Sequence, residues 1–359
     1  MIVFRCDSSN KIGNGHVKRC LFLAKELKKF GEQCIFFTIN YSGNSINEIK
    51  SQGFDVNIIP KNTKTTCGKK EVFDIKYDAQ QTINLLSGIK PKLFIVDNYQ
   101  IDINWEIIIK KHCYKLMVID DLANRSHKCD IFLDHNLKEN ISDAYRFLIP
   151  NNCIKLFGPK YALVDLALST NQKSIKIKTG KVQNILVTFS KGDLEGMTLK
   201  LLKAFISIRE KEINIFFIVN NESPYYDQIK KIANKYCNIK ILDYQKSLLP
   251  LMLKSDYAFG GGGVSCLERC CLGISSSVIC LSKNQEELIN TLSKKKLIRN
   301  LGDYKKITIK KLKDELYFVK NLKLDKKKSK NCMKILDGLG SKRVAEFILR
   351  ETKQIKIKT

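Results

Sequence analysis

The stretch that decides the fold is Phe4-Arg-Cys-Asp-Ser-Ser-Asn-Lys-Ile-Gly-Asn-Gly-His-Val-Lys-Arg-Cys20. The apolar residues 2–4 predict a buried parallel strand, and the apolar recurrence over residues 17–30 predicts an amphipathic helix. Between them, Gly13 and Gly15 allow the backbone to turn tightly. A strand, a glycine-containing turn and a helix in this order predict an α/β fold with its chemistry at the turn.

His16, one of four histidines in the chain, lies at the end of this turn. The unpaired N–H groups and positive dipole of a helix N-terminus favour an anion there, and a neutral imidazole over imidazolium. A neutral imidazole at pH 7 can act as a base. Two other interpretations are open. A dinucleotide-binding loop would need a third glycine where Lys18 stands, and a histidine at this position can also cap a helix or fill a core.

Composition narrows the class of protein. A chain of 359 residues fits two domains of ordinary size. Its 13 cysteines are scattered through apolar runs with no secretory signal before them, so we expect reduced, buried thiols and a cytoplasmic location. Cys266, Cys270 and Cys271 lack a second cluster or a nearby histidine, so no metal site is predicted. No apolar run reaches the roughly 18 residues of a membrane span.

The formal net charge of +27 does not by itself predict a nucleic-acid partner. Lysine is spread along the whole chain, and no basic motif interleaved with aromatic residues is present. The densest run, Lys323 to Lys330, is typical of a solvated surface. The charge still favours anionic ligands, nucleotide phosphates included.

Short apolar runs alternate with helical segments along both halves of the chain, which predicts two parallel, doubly wound sheets. In the first half the runs are Gln33–Thr38, Val56–Ile59, Leu93–Val96, Lys115–Ile119 and Ile131–Leu133. In the second half they are Asn184–Phe189, Ile213–Val219, Asn238–Leu242, Tyr257–Phe259 and Ser277–Leu281.

The polar segment from Ser169 to Gly180 interrupts this alternation and predicts an interdomain linker. We therefore expect an N-terminal domain over residues 1–168, a C-terminal nucleotide-binding domain over 181–345 and a basic tail over 346–359. The ligand crevices of two such sheets are expected at the carboxyl ends of their strands.

A second candidate site lies at Gly260-Gly-Gly-Gly263, which follows a predicted strand and precedes a helix. Glycines allow the backbone to approach a diphosphate, Ser265 can add a hydroxyl donor, and the helix N-terminus favours the negative charge. Glu268, one turn into the helix, can accept both hydroxyl groups of a ribose. Asn284 and Gln285 follow the next strand, where they can reach a sugar. A glycine run with a purely structural role remains the alternative.

Matching segments are spread over nearly the whole chain, and they resemble the GT-B superfamily and, within it, the UDP-sugar hydrolases of pseudaminic acid biosynthesis. They are Arg5-Cys-Asp-Ser-Ser9, Ile12 to Cys20, Val96-Asp-Asn-Tyr99, Ile119 to Arg125, Gly158-Pro-Lys-Tyr161, Gly262 to Glu268 and Asn284-Gln285. The resemblance implies an α/β fold of two Rossmann-like domains whose parallel sheets face each other across a cleft.

The resemblance also implies an enzyme and its site. His16 corresponds to a general base that activates water for attack at the anomeric carbon of a UDP-2,4-diacetamido-2,4,6-trideoxy hexose, releasing UDP with inversion and without metal or cofactor. It further implies a role in glycosylation of flagellin or a surface glycan, with a pathway synthase as possible partner. The candidate substrate-binding residues are Asp7, Gly13, Gly15, Tyr99, Gly196, Gly262, Gly263, Ser265, Glu268, Asn284 and Gln285.

The chain departs from the family pattern after the first strand of its second half. Where the family usually has Gly-Gly-Thr/Ser-Asp and then an asparagine, this chain has Ser190-Lys191-Gly192-Asp193 and Gly196. Two alternatives to the hydrolase therefore stay open: a GT-B glycosyltransferase that uses a related UDP-sugar, and a catalytically silent protein that binds a nucleotide-sugar. Asp121 and Arg125 are also compatible with a structural ion pair.

Overall fold

A computed structural model describes residues 1–62, 73–189, 193, 196–245 and 247–353. The strands are, in chain order, β1 (Ile2–Cys6), β2 (Cys34–Ile39), β3 (Asp55–Ile59), β4 (Leu93–Asp97), β5 (Lys115–Ile119), β6 (Ile131–Asp134), β7 (Ile154–Phe157), β8 (Gly180–Lys181), β9 (Asn184–Thr188), β10 (Asn214–Ile218), β11 (Ile239–Leu242), β12 (Tyr257–Gly261), β13 (Ser275–Cys280), β14 (Arg299–Asp303) and β15 (Lys323–Leu324). The α-helices are α1 (Gly15–Lys29), α2 (Ile46–Ser51), α3 (Ile75–Leu86), α4 (Ile103–Ile109), α5 (Ile141–Ala144), α6 (Ala167–Ser174), α7 (Met197–Ser207), α8 (Tyr226–Ala233), α9 (Leu249–Lys254), α10 (Val264–Cys271), α11 (Glu286–Lys294), α12 (Ile309–Asn321), α13 (Lys326–Met333) and α14 (Gly340–Thr352).

The described chain divides into two compact units, here called unit 1 (residues 1–164 and 339–353) and unit 2 (residues 165–338). Unit 1 contains a parallel sheet in the order β3-β2-β1-β4-β5-β6-β7. Unit 2 contains a second parallel sheet in the order β11-β10-β9-β12-β13-β14. Both are Rossmann-like, and the prediction of two doubly wound parallel sheets is confirmed.

Both faces of the unit 1 sheet are buried because successive side chains of a strand point to opposite faces. Ile2 and Phe4 of β1 belong to one apolar cluster, which also contains residues of α1 and α14. Val3 belongs to the opposite cluster, together with Trp105 of α4. Such two-sided burial explains why the strands of this unit appear in the sequence as continuous apolar runs rather than alternating ones.

In unit 2, one face of the sheet is covered by an apolar cluster that includes α7, α8 and α12. Ile185 and Val187 of β9 point into this cluster, and Leu186 between them is also fully buried. The polar Ser275, Ser276 and Ser277 lie in the buried strand β13, where Ser277 donates a hydrogen bond to Glu315.

The segment predicted as a linker, Ser169 to Gly180, begins instead within helix α6 of unit 2. One of its polar residues, Gln172, is held by backbone groups at and just beyond the ends of α10 and α13. The amide nitrogen of Gln172 lies 2.7 to 3.0 Å from the carbonyl oxygens of Cys271, Met333 and Leu336. At Gln172, polarity thus satisfies backbone carbonyl groups of other elements, whereas Lys173, Ser174 and Lys176 further along the segment are exposed.

After unit 2 the chain returns to unit 1. The sequence instead predicted that the second domain extends to residue 345 and is followed by a tail over 346–359. Helix α14 contacts α1, and Val344, Ala345 and Ile348 are fully buried in the unit 1 core. Residues 354–359 lie outside the described part of the chain. Within the described residues, no helix combines the length and apolar character that crossing a membrane requires.

We expect Ile348→Ala to lower the free energy of unfolding of unit 1 by about 2–4 kcal/mol, because it leaves a cavity between α14 and the sheet. Trp105, the only tryptophan of the chain, is buried in unit 1, so its fluorescence during urea unfolding reports on this unit. Glu346→Ala on the exposed side of the same helix is the control and should change the value by less than about 0.5 kcal/mol. Equal effects of the two substitutions would contradict the packing of α14 in this core.

Candidate active site

The candidate site of unit 1 lies where the strand order reverses, between β1 and β4. Loops that follow these two strands leave the same edge of the sheet in opposite directions, and this is where α/β sheets bind ligands. Cys6, the last residue of β1, pairs with Asp97, the last residue of β4. His16 follows β1 as the second residue of α1, so the sheet brings His16 and Asp97 together.

The Nδ1 atom of His16 lies 2.5 Å from Oδ1 of Asp97, and both side chains are buried. An ionised carboxylate can only accept a hydrogen bond, so this contact requires a proton on Nδ1. In the neutral imidazole the lone pair is then on Nε2. This is the arrangement of a general base whose tautomer is set by an acidic partner.

Arg19 keeps Asp97 ionised. Its Nε donates to Oδ2 and its Nη2 to Oδ1 of Asp97, each at 2.5 Å. Burial of Asp97 opposes ionisation, but the charge of Arg19 and the contact with His16 outweigh it and hold the pKa of Asp97 well below its usual range. His16 and Arg19 are three residues apart on one helix face, so a single carboxylate reaches both.

Tyr99 lies two residues after the end of β4 and contacts the imidazole of His16 edge-on, with ring centroids 4.5 Å apart. Its hydroxyl group donates to Oδ1 of Asp121 at 2.6 Å, and the side-chain amide of Asn136 donates to Oδ2 of Asp121 at 3.1 Å. Burial and the charge of Asp121 raise the pKa of Tyr99. The structure thus places the predicted Tyr99 beside His16.

The suggested ion pair of Asp121 with Arg125 is wrong. Arg125 pairs instead with Asp120, with Nη1 and Oδ1 2.9 Å apart. Asp120 also lies near His127, whose Nδ1 is 2.7 Å from Oε1 of Glu106. Burial of His127 opposes its protonation, but the two carboxylates raise its pKa to about 9.

Asp7, a predicted substrate contact, is buried and its carboxylate is fully engaged within unit 1. It accepts hydrogen bonds from the amide of Ile39 at 2.8 Å, the hydroxyl of Thr38 at 3.1 Å and the amide of Asn98 at 2.8 Å. Nη1 of Arg5 is 2.7 Å away. These contacts join the ends of β1, β2 and β4, so the structure favours a structural role for Asp7 over the predicted one.

The two predicted glycines of the first turn differ in backbone conformation, although a Cβ added at either would meet no atom within 4 Å. Gly13 has a φ of +79° and donates a hydrogen bond to the carbonyl of Ser9, a turn that only a residue tolerant of positive φ adopts without strain. Gly15 begins α1, and a Cβ added there would meet no atom within 4 Å. The space beside Gly15 is therefore open for a ligand.

In unit 2, the glycine run lies at the corresponding reversal of strand order, between β9 and β12. Strand β12 extends through Gly261, and α10 begins at Val264. An added Cβ would crowd a packed neighbour at three positions: Thr188 O at 2.6 Å from Gly260, Leu281 Cδ1 at 2.8 Å from Gly261 and Ile289 Cδ1 at 2.3 Å from Gly262. At Gly263 the nearest atom would be 3.8 Å away. Three of the four glycines thus have a packing role, while a Cβ at Gly263 would make only an ordinary van der Waals contact with Gln285.

Gln285 and Asn284 flank this segment. Oε1 of Gln285 accepts hydrogen bonds from the backbone N–H groups of Gly262 at 3.0 Å and Leu281 at 3.1 Å, so it fixes the loop rather than projecting freely. Oδ1 of Asn284 accepts from the Ser282 hydroxyl at 2.6 Å. Ser265 and Glu268 are half-buried on α10.

Gly196 precedes α7 with a φ of +63°, and a Cβ added to it would lie 3.1 Å from the ring of Tyr225. The carboxylate of Asp193 accepts hydrogen bonds from the N–H groups of Met197 and Thr198, at 3.0 and 2.9 Å. A side chain of this protein therefore satisfies free N–H groups at the N-terminus of α7. Glycine therefore has a local structural reason at this position. Ser190, Lys191 and Gly192 lie outside the described residues.

Sequence patterns alone did not identify three residues around His16: Arg19, Asp97 and His135. The usable signal was that Asp97 and His135 end or directly follow strands of one parallel sheet. His135 is buried, its Nδ1 has no hydrogen-bond partner, and burial together with the charge of Arg19 lowers its pKa to about 3. In the described part of the chain, no group of three or more His, Cys, Asp or Glu side chains is arranged to hold a metal ion.

We expect Asp97→Asn to change the tautomer of His16, because an amide NH₂ facing Nδ1 favours a proton on Nε2. The ¹⁵N chemical shifts of histidine-labelled protein near neutral pH distinguish the two tautomers, and a His16 variant assigns its signals among the four histidines. Asp121→Asn is the control, since Asp121 contacts Tyr99 and not His16. An unchanged tautomer in Asp97→Asn would refute the orienting role of Asp97.

Two protein relatives are similar over most of this chain, although no protein-family model matches it. The UDP-2,4-diacetamido-2,4,6-trideoxy-beta-L-altropyranose hydrolase of Campylobacter jejuni is 26% identical over 295 residues, which is 82% of this chain and 96% of that protein. An uncharacterized protein of Methanocaldococcus jannaschii, MJ1062, is also 26% identical over 295 residues, and the match spans 57% of its length. The spore coat polysaccharide biosynthesis protein SpsG of Bacillus subtilis is 24% identical over 146 residues, 40% of this chain and 43% of that protein.

Solved structures share the fold. MurG of Acinetobacter baumannii superposes with a TM-score of 0.64 at 12% identity, covering 97% of this chain and 99% of that one. The glycosyltransferase of kitacinnamycin gives a TM-score of 0.62 at 12% identity and covers 98% of both chains. The two Rossmann-like units therefore form a GT-B fold, and the resemblance predicted from the motifs is confirmed: over four fifths of its length the chain is similar to the UDP-diacetamido-trideoxy-altropyranose hydrolase of Campylobacter jejuni.

Proposed function

We propose that this protein hydrolyses a UDP-2,4-diacetamido-2,4,6-trideoxy hexose at its anomeric carbon, releasing UDP and the free sugar. The observation that carries the proposal is the contact of His16 with Asp97 at the reversal point of the unit 1 sheet. Similarity to the Campylobacter jejuni hydrolase along nearly the whole of that enzyme supports the choice of substrate class. The free sugar would then serve a nonulosonic acid synthase, the expected pathway partner.

Unit 1 supplies the base for the proposed reaction. Nε2 of His16 takes a proton from water, and the water oxygen forms a bond to the anomeric carbon. The bond from that carbon to the phosphate oxygen breaks, UDP leaves with the electron pair, and attack opposite to the leaving group inverts the configuration. A positioned base of this kind contributes about 10²- to 10⁴-fold to the rate. Tyr99, which contacts His16, is the proposed sugar contact.

Unit 2 supplies the nucleotide contacts of the proposed reaction. The segment from Gly262 to Ser265 offers backbone N–H groups and a hydroxyl at the start of α10, where the helix dipole favours a diphosphate. Because these donors stabilise the negative charge of departing UDP, the step needs little acid assistance, and the proposal assigns no role to a metal. Glu268 is the proposed acceptor for the ribose hydroxyl groups.

The direct test is a proton NMR time course with UDP-2,4-diacetamido-2,4,6-trideoxy-β-L-altropyranose, run in H₂¹⁸O and followed by mass spectrometry. Attack at carbon places ¹⁸O in the sugar, whereas attack at phosphorus places it in UDP. We expect ¹⁸O in the sugar and inverted configuration in the first product. His16→Asn should lower turnover by about 10²- to 10⁴-fold and leave UDP affinity nearly unchanged.

Other outcomes of this time course select the alternatives. Turnover only after an acceptor alcohol is added would identify a glycosyltransferase. Binding of UDP without release from any such sugar would identify a catalytically silent nucleotide-sugar binding protein. Full activity of His16→Asn would refute the role of His16.

Glu268→Ala should weaken UDP binding, because a carboxylate that accepts ribose hydroxyls makes charge-assisted hydrogen bonds worth about 1.5–3 kcal/mol. Calorimetric titration with UDP measures the change, and titration with 2′-deoxy-UDP shows whether the lost contact is to the ribose. Glu287→Ala, an exposed glutamate of α11 in the same unit, is the control. Unchanged affinity in Glu268→Ala would remove Glu268 from the ribose site.

A further inference from the structure

Arg269 is a fully buried arginine on α10, directly beneath the glycine segment, and it is among the largest fully buried side chains of the chain. Its Nη2 donates to the carbonyl oxygen of Gly261 at 2.8 Å, and its Nη1 donates to the hydroxyl of Ser265 at 3.3 Å. Its Nε has no hydrogen-bond partner. Among the residues that the structure describes, no aspartate or glutamate forms an ion pair with it.

Two other buried arginines of this chain are paired with carboxylates. Arg5 lies 2.7 Å from the carboxylates of both Asp7 and Asp78, and Arg19 is bound through two nitrogens to Asp97. Arg269 instead contacts neutral groups. The buried thiol of Cys266 lies close enough for Arg269 to act on it: a hydrogen bond with Cys270 and the charge of Arg269 outweigh burial and lower the pKa of Cys266 to about 7.

A buried charge without an ionic partner costs several kcal/mol in the folded protein. Arg269 belongs to the last turn of α10, but its guanidinium reaches back to Ser265 and Gly261 at the start of the helix, where the helix dipole has the same positive sign and adds to this cost. Gly260 belongs to the same arrangement, since a Cβ there would lie 2.8 Å from Nη1 of Arg269. The guanidinium of Arg269 and the N-terminus of α10 thus both place positive potential on the glycine segment, which contains no acidic side chain. The guanidinium also leaves no room for a side chain at position 260.

We propose that Arg269 is a positioning residue for a nucleoside diphosphate: its buried charge holds the carbonyl of Gly261 inward and makes the Gly262 to Ser265 segment selective for the diphosphate over the nucleoside. Because Arg269 is fully buried, it acts through the loop backbone and through its field, without touching the ligand. The inference rests on the proposed nucleotide site of unit 2 and goes beyond it by assigning the diphosphate selectivity to one side chain.

The test compares UDP, UMP and uridine binding in wild type, Arg269→Lys and Arg269→Met by calorimetry, with ligand-observed NMR for weak binding of uridine. Loss of a charge that acts on the diphosphate should weaken UDP binding by about 10- to 100-fold in Arg269→Met. Uridine affinity should change by less than about 3-fold, with UMP between the two. Arg269→Lys keeps the charge and should retain most of the UDP affinity.

Two controls separate this role from a structural one. Lys310→Met removes one exposed charge from the same unit and should leave all three affinities unchanged. Glu268→Ala should weaken UDP and uridine together, the opposite pattern to Arg269→Met. If Arg269→Met does not fold, Arg269→Gln provides a second neutral side chain that can still donate to Gly261.

The proposal would be overturned if the neutral variants lose UDP and uridine affinity equally. It would also be overturned if Arg269→Lys binds UDP as weakly as Arg269→Met does. The test does not depend on turnover. A protein that binds UDP with this selectivity and hydrolyses nothing would refute the proposed function and leave the role of Arg269 intact. A wild-type protein that binds uridine as tightly as UDP would refute the role of Arg269 even if it is a hydrolase.

Discussion

The parallel register between β1 and β4 is the constraint on which the candidate active site depends. It places Asp97 opposite Cys6 and so brings it to His16, 81 positions away in the chain. A carboxylate buried this deeply would ordinarily be protonated and could not set the tautomer of an imidazole. Arg19, one turn beyond His16, prevents this by binding both carboxylate oxygens. One strand end and one helix face therefore produce an oriented imidazole, and Tyr99 and Asp121 extend the same network.

In the glycine segment of unit 2, a packing role and the proposed binding role are compatible, although sequence patterns treat them as alternatives. Gly260, Gly261 and Gly262 are glycines because neighbouring atoms occupy the space of a side chain, whereas a Cβ at Gly263 would make only an ordinary contact with Gln285. Close packing below the loop thus fixes the backbone groups that the ligand would meet above it. Arg269 belongs to this packing and is also a charge that the fold leaves without an ionic partner. In folded proteins, an unfavourable feature such as a buried charge without an ionic partner often lies near a binding site.

The layout of strands was largely predictable because burial on both faces leaves uninterrupted apolar runs such as Leu93 to Val96. Strands β7 and β14 were not predicted. Each lies at the edge of its sheet and has a single buried residue, Leu156 in β7 and Leu301 in β14, so its apolar signal is weak. The domain boundary was misplaced for a different reason. Gln172 looks like a linker residue in the sequence but binds three backbone carbonyls in the fold.

The sequence by itself determined the α/β class, the position of His16 at a glycine turn and the resemblance to a hydrolase family, because these depend on local patterns and motif spacing. Tertiary structure alone decided which groups surround His16, since Asp97, Asp121 and His135 come from different strands that only the sheet order brings to one edge. It also decided that Asp7 is engaged by four neighbours and that Arg269 is buried without an acidic partner. Burial and partners set the charge state and the chemistry of an ionisable group, and neither is written in the spacing of residues along a chain.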